Sequence, residues 1–101
     1  MDFIPEEFRQ MMLIKINKLE CKLSNCNIND FIEAFNTYYN LVFMGFDLYI
    51  TLSFGQKLMK CEWQHSNEEE KMKAEELKSI IAVTIIDLEN KVEKDKRRIL
   101  N

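Results

Sequence analysis

The residues best suited to chemistry are the three cysteines and the single histidine: Cys21, Cys26, Cys61 and His65. Their order, C-x4-C followed by C-x3-H, supplies the soft and borderline ligands that tetrahedral zinc prefers. Common structural zinc pairs are spaced more tightly, however, and Cys21 falls in the last turn of a predicted helix. The opposing interpretation treats the cysteines as small buried or loop residues. We expect the second, with reduced cysteines, no metal and no cofactor.

No catalytic constellation accompanies these residues. In an extended segment Cys61 and His65 would share a face but stand about 13 Å apart, beyond hydrogen-bond reach. Asp47 alternates with apolar residues and is expected to point outward, and the glutamates at 68–70 suit the positive end of a helix dipole. The chain has no Gly-rich phosphate loop, no G-x-S-x-G and no H-E-x-x-H. The sequence therefore predicts that the protein is not an enzyme.

The length and the net charge of the chain limit the number of domains and the classes of binding partner. The 101 residues predict one domain, 1–101, and the formal charge of -3 is weak. The segment NDFIEAFNTYYNLVF, where a recognition helix would be sought, contains no Lys or Arg, which argues against nucleic acid. The start MDFIPEEF lacks a signal peptide's basic and apolar regions, and the longest nearly apolar run falls short of the roughly 20 residues that cross a bilayer. We expect a cytoplasmic protein with no nucleic-acid or membrane partner.

The hydrophobic pattern changes at Gly45 and predicts an α+β fold. Before Gly45 the apolar residues have helical spacing, whereas the residues after it alternate with polar ones, the period of a strand. The prediction is two N-terminal helices, a β-hairpin at about 46–64 and a long C-terminal helix. The alternating residues of the hairpin are Phe46, Leu48, Ile50, Leu52 and Phe54, then Met59, Cys61 and Trp63. Leu48, Ile50 and Leu52 are expected to be buried, and Thr51 to face outward.

An all-α helical bundle is the alternative, in which the second helix continues through Gly45 and Gly55 to Trp63. Each interior glycine would cost such a helix about 1 kcal/mol relative to alanine. The helices themselves are predicted at about Pro5 to Leu23, from Asn27 to Gly45, and from a capping box at Ser66 and Glu69 onward. The β-branched run SIIAVTII could be a strand, but the strongly helical residues before it favour a helix.

Two helices carry apolar residues outside their core stripes. These residues are Tyr39 and Phe43 in the second helix and Ile80, Val83 and Ile86 in the C-terminal one. They fit either a core beneath the hairpin or a surface that contacts another chain. We predict that they form a partner-binding or homodimer interface, which would also cover the exposed edge of the hairpin.

These observations predict a small intracellular protein that binds another protein. Lys far outnumbers Arg, while Ala, Gly and Pro are scarce, a usage that follows AT-rich codons. It suggests a low-GC bacterium, one of its phages or an AT-rich virus as the source. We expect a phage or viral accessory protein that inhibits or regulates a host protein by stoichiometric contact, in the host cytoplasm. The alternative is a zinc-stabilised interaction module.

Overall fold

The protein is built from helices alone in the residues that the structure describes, 4–62 and 67–100. The structure is a computed structural model in which a single 3₁₀ turn, Leu23–Asn25, follows the first helix. In chain order the α-helices are α1 (Glu6–Lys22), α2 (Ile28–Met44), α3 (Leu48–Lys60) and α4 (Glu68–Leu100).

Local capping signals place the ends of α2 where the sequence predicts them. Asn27 Oδ1 accepts the backbone N–H of Asp30 at 2.9 Å, and Asp30 Oδ2 accepts the backbone N–H of Asn27 at 3.3 Å. At the other end Gly45 adopts a left-handed φ of 70°. This conformation lets the N–H of Phe46 donate to Leu41 O at 3.0 Å, closing the helix. Both predicted boundaries are confirmed.

The predicted hairpin at about 46–64 is wrong, because α3 occupies its place. Asp47 does not point outward from a strand; its Oδ1 accepts the N–H of Ile50 at 3.0 Å and its carbonyl accepts that of Thr51 at 2.9 Å. These bonds start a helix. The fold class is therefore all-α, the alternative to α+β, with a break at Gly45 instead of one continuous helix. Residues 63 and 64 lie outside the described part of the chain.

The buried face of α3 has helical spacing, with members at i, i+3, i+4 and i+7: Thr51, Phe54, Gly55 and Leu58. Thr51, expected to face outward, is 1% exposed, whereas Leu48, Ile50 and Leu52, expected in the core, are only half-buried. The alternating apolar residues thus spread over the sides of α3. A threonine and a glycine complete its inner face, which hides the helical stripe from a hydrophobicity pattern.

Gly55 lies within α3 because α2 packs too closely for any side chain there. An added Cβ would stand 2.6 Å from Cε1 and 2.9 Å from Cζ of Tyr38. The Tyr38 ring is fully buried and meets Phe54 edge-on, with ring centroids 6.3 Å apart. Gly55 therefore marks the crossing of α2 and α3 and not a hairpin turn.

The long helix α4 begins one residue after a capping asparagine. Asn67 Oδ1 accepts the N–H of Glu70 at 2.9 Å. Ser66, the predicted cap, lies outside the described residues. The helical reading of SIIAVTII is confirmed, since the run lies within α4. The helical spacing of its apolar residues predicts a core stripe of Leu77, Ile81, Ile85, Leu88 and Val92. Of these, Leu77, Ile81 and Leu88 are buried, and Ile85 and Val92 are half-buried.

The helices alternate in direction along the chain. Antiparallel packing of α3 and α4 is set by two bonds, from Tyr49 Oη to Asp95 Oδ2 at 2.6 Å and from Lys78 Nζ to the carbonyl of Cys61 at 2.6 Å. Both α1 and α4 pack on α2 and α3. The molecule measures 50 × 28 × 20 Å, and its long dimension matches the roughly 50 Å length of the 33-residue α4.

Candidate functional site

Two features could carry function: a pair of buried thiols and an exposed apolar face. The thiols belong to Cys26, between the 3₁₀ turn and α2, and to Cys61, which follows the last residue of α3. Their Sγ atoms lie 3.2 Å apart, and both residues are buried. The antiparallel packing of α2 and α3 brings these two helix ends together, although 35 positions separate the cysteines along the chain.

Hydrogen bonds fix the position of Cys61. Its thiol lies 3.5 Å from the carbonyl of Leu23 and donates to it, while its own carbonyl accepts the ammonium of Lys78. Burial, and then the hydrogen bond with Cys61, raise the pKa of the Cys26 thiol well above its usual range. Because the thiolate is the nucleophilic form, Cys26 is not an activated nucleophile in this state.

Only two of the four candidate zinc ligands, which we expected to be metal-free, are brought together. Cys26 and Cys61 meet, Cys21 is exposed on α1, and His65 lies outside the described residues. Within residues 4–62 and 67–100, no three His, Cys, Asp or Glu side chains are grouped so that they could hold a metal ion.

The exposed apolar face lies on α2 and α4 and contains all five predicted interface residues. We call it the α2–α4 face. Its members and their exposed fractions are Tyr39 (44%), Phe43 (85%), Ile80 (38%), Val83 (69%) and Ile86 (59%). They are therefore not covered by α3, which rules out a core beneath a hairpin. Whether a second chain covers them stays a prediction.

A groove runs through the middle of this face. It has a volume of about 430 Å³ and is lined by Tyr39, Ser79, Ile80, Val83 and Thr84, none of which carries a charge. Phe43 lies one helical turn beyond Tyr39 on α2, and Ile86 lies one turn beyond Val83 on α4. Since α2 and α4 run in the same direction, both residues extend the face toward the same end of the molecule.

Hydrogen bonds and a ring contact connect two groove residues, Thr84 and Tyr39, to the residues packed beneath the groove. Thr84 Oγ1 donates to the carbonyl of Ile81 at 2.8 Å, so its single hydrogen is used. Tyr38 Oη, 2.7 Å from Thr84 Oγ1, is therefore the donor of the bond that joins α2 to α4. The ring of Tyr39 stacks on that of Phe35 with centroids 5.9 Å apart. These contacts fix the positions of Thr84 and Tyr39, two of the residues that line the groove.

A second exposed patch was missed in the sequence. Met11 and Ile14 on α1 are 65% and 57% exposed, and they line a shallow groove with Lys15 and Lys18. The sequence did contain a signal for Met11 and Ile14, because both lie outside the core stripe that helical spacing predicts for the first helix. That stripe is Phe8, Met12, Ile16, Leu19 and Leu23. The same test applied to α1 would have found them.

Comparison of the chain with protein families, with curated proteins and with solved structures gives no match. Among the described helices none is long and apolar enough to cross a membrane.

Proposed function

We propose that the protein is a helical interaction module that acts by binding another protein through the α2–α4 face, without catalysis. The observation that carries this proposal is the groove lined by uncharged residues, with Phe43, Val83 and Ile86 exposed around it. Contiguous exposed apolar surface on a small protein commonly marks an interaction site. Depletion of charge at its centre is typical of protein interfaces, and it is the opposite of what nucleic acid requires.

The occupant that we propose is a second copy of the chain. An uncharged apolar face can pack against itself about a two-fold axis, because no like charges meet at the centre. Beside the face, one turn beyond Val83, Asp87 is paired with Lys91 at 3.1 Å. The segment predicted to leave a strand edge exposed is the helix α3, which satisfies its own backbone groups and needs no second copy to cover an edge. The α2–α4 face alone supports the dimer.

Light scattering at micromolar concentration tests the dimer. We expect about twice the 12.1 kDa chain mass for the native protein. Val83→Glu should give a monomer that keeps its helical circular dichroism, because an unpaired carboxylate cannot be buried at the interface. Met11→Glu is the matched control, since Met11 is about as exposed as Val83, at 65%, and lies on α1, outside the face. A native monomer, or dissociation by both variants, would end this proposal.

For the partner in the cell we propose a host protein, bound stoichiometrically in the host cytoplasm by a phage or viral accessory protein. The AT-biased residue usage supports this origin. We propose that the host protein displaces the second copy from the α2–α4 face. Affinity capture from a low-GC bacterial host should then recover one protein with the native chain and with Met11→Glu, and not with Val83→Glu. Equal recovery by all three would place the binding site elsewhere.

A zinc-stabilised interaction module is the second candidate, and the thiol pair is the observation that favours it. Cys26 and Cys61, with Sγ atoms 3.2 Å apart, would supply two thiolate ligands at the junction of three helices. Cys21 and His65 are the candidates for the other two. Protein purified without added metal should then contain one zinc per chain, lose it in Cys61→Ser, and unfold with a chelator. Metal-free folded protein would exclude this candidate and leave the α2–α4 face untouched.

A further inference from the structure

We propose that Cys26 and Cys61 are an oxidation site: hydrogen peroxide joins them in a disulfide within the folded protein. The proposal goes beyond the proposed function and does not depend on the α2–α4 face or on a metal. It starts from the contact between the two buried sulfur atoms.

The geometry requires only a small movement. The two Sγ atoms are 3.2 Å apart, against about 2.05 Å in a disulfide, so they need to approach by about 1 Å. Both cysteines lie at ends of helical elements with extended backbone, at φ -98° and ψ 158° for Cys26 and φ -67° and ψ 125° for Cys61. Neither is inside a helix whose hydrogen bonds would resist the shift. Side-chain rotation and the connecting residues can absorb it.

The chemistry needs one equivalent of peroxide and no other reactant. Because Cys26 is not an activated nucleophile, Cys61 is the sulfur that peroxide oxidises: it gains one oxygen and becomes a sulfenic acid, and water leaves. The Cys26 sulfur, already in contact, then attacks the Cys61 sulfur, and the Cys26 thiol proton leaves with the displaced hydroxyl as a second molecule of water. The two thiols lose two protons and two electrons in total, which one peroxide accepts. Close contact makes the second step intramolecular, so it should outrun further oxidation of the sulfenic acid.

The bond would join parts of the fold that are distant in sequence. It would tie the junction of α1 and α2 to the end of α3, next to the carbonyl of Cys61 that accepts from Lys78 on α4. It would also close a long loop in the unfolded chain, which reduces the conformational freedom of that state. The oxidised protein should therefore have a Tm higher by roughly 10 °C or more.

Thiol counting in the full chain tests the proposal. Chelator-treated Cys21→Ser protein, which keeps both buried thiols and loses the exposed one, is exposed to one equivalent of peroxide, denatured and alkylated. We expect no alkyl group, a mass lower by two hydrogens than that of the reduced protein, and one linked peptide containing Cys26 and Cys61. The untreated sample should carry two alkyl groups.

The native chain and a second variant complete the test. After the same treatment the native chain should also form the disulfide between Cys26 and Cys61, and Cys21 should not take part in it. Cys61→Ala should form no internal link. Two free thiols in treated Cys21→Ser, added oxygen in place of lost hydrogen, a bond between two chains, or a link through Cys21 in the native chain would each overturn the proposal.

Discussion

Replacing Gly55 by alanine should destabilise the protein, although alanine is the better helix former by about 1 kcal/mol. The new Cβ would lie 2.6 Å from Cε1 and 3.0 Å from Oη of Tyr38. Tyr38 cannot yield freely, because its ring is fully buried and its hydroxyl is bonded to Thr84 at 2.7 Å. Overpacking of a core costs about 1 to 3 kcal/mol, and loss of that bond costs about 1 kcal/mol.

The net loss that we expect for Gly55→Ala is therefore about 2 kcal/mol in the free energy of unfolding, or roughly 10 °C in Tm for a domain of this size. Urea unfolding followed by circular dichroism measures it. The decisive comparison is a double-mutant cycle with Tyr38→Leu, a side chain without the ring. In that background Gly55→Ala should become neutral or stabilising by up to about 1 kcal/mol.

A matched control comes from the other glycine. Gly45 has open space around its would-be Cβ but a φ of 70°, so Gly45→Ala should cost about 1 kcal/mol through the backbone alone. That cost should not change with Tyr38→Leu. The reasoning would be refuted if Gly55→Ala stabilised the native background, or if its cost were the same beside tyrosine and leucine.

Three further substitutions test the core and the cap. Thr51 Oγ1 is buried without a hydrogen-bond partner among the described residues, so Thr51→Val should raise the free energy of unfolding by about 1 kcal/mol. Urea unfolding measures it, and a lower urea midpoint for the variant would contradict this prediction. Burial raises the pKa of Tyr38, so the folded protein holds this proton more tightly than the unfolded chain. The resulting stability is complete below about pH 10 and is lost as the pH rises through the folded pKa. Tyr38→Phe should cost about 1 kcal/mol at pH 7 and weaken the alkaline loss; equal alkaline slopes in both proteins would count against it. Asn27→Ala should cost about 1 kcal/mol through the lost cap, whereas Asn25→Ala should leave the thermal midpoint unchanged.

The parts of the fold that could be predicted from the sequence are those with local signals. The ends of α2 depend on one asparagine side chain and on one glycine with a positive φ, and both are readable within a few residues. The C-terminal helix was found by its long stripe of apolar residues. In each case the physical cause lies within one element, so no knowledge of its neighbours is needed.

The hairpin prediction failed because the inner face of α3 is defined by its neighbour. Gly55 is buried since the ring of Tyr38 fills the space, and Thr51 is buried although it carries a hydroxyl. A hydrophobicity pattern does not identify glycine or threonine as core residues. Without them, the remaining apolar residues alternate with polar ones, as in a strand. The capping role of Asp47 was the local signal that could have corrected the prediction, since an aspartate before a helix accepts the third N–H.

The candidate site also has one part that could be predicted from the sequence and one part that depends on how the helices pack. That Ile80, Val83 and Ile86 lie outside the core stripe could be predicted from helical spacing. That Tyr39 shares a groove with Ile80 and Val83 could not, because it depends on α2 and α4 running in the same direction side by side. The meeting of Cys26 and Cys61 likewise requires the tertiary arrangement, in which one end of α2 reaches the opposite end of α3.

The alternating direction of the helices has a consequence for the speed of folding. Each helix packs against the one before it, as α2 does on α1, α3 on α2 and α4 on α3. Short connections let such neighbours meet as soon as they form, with little loss of chain entropy before contacts are made. Helical proteins with this kind of connectivity fold in microseconds to milliseconds. Stopped-flow refolding should accordingly be complete within the mixing time or shortly after it, in a single fast phase.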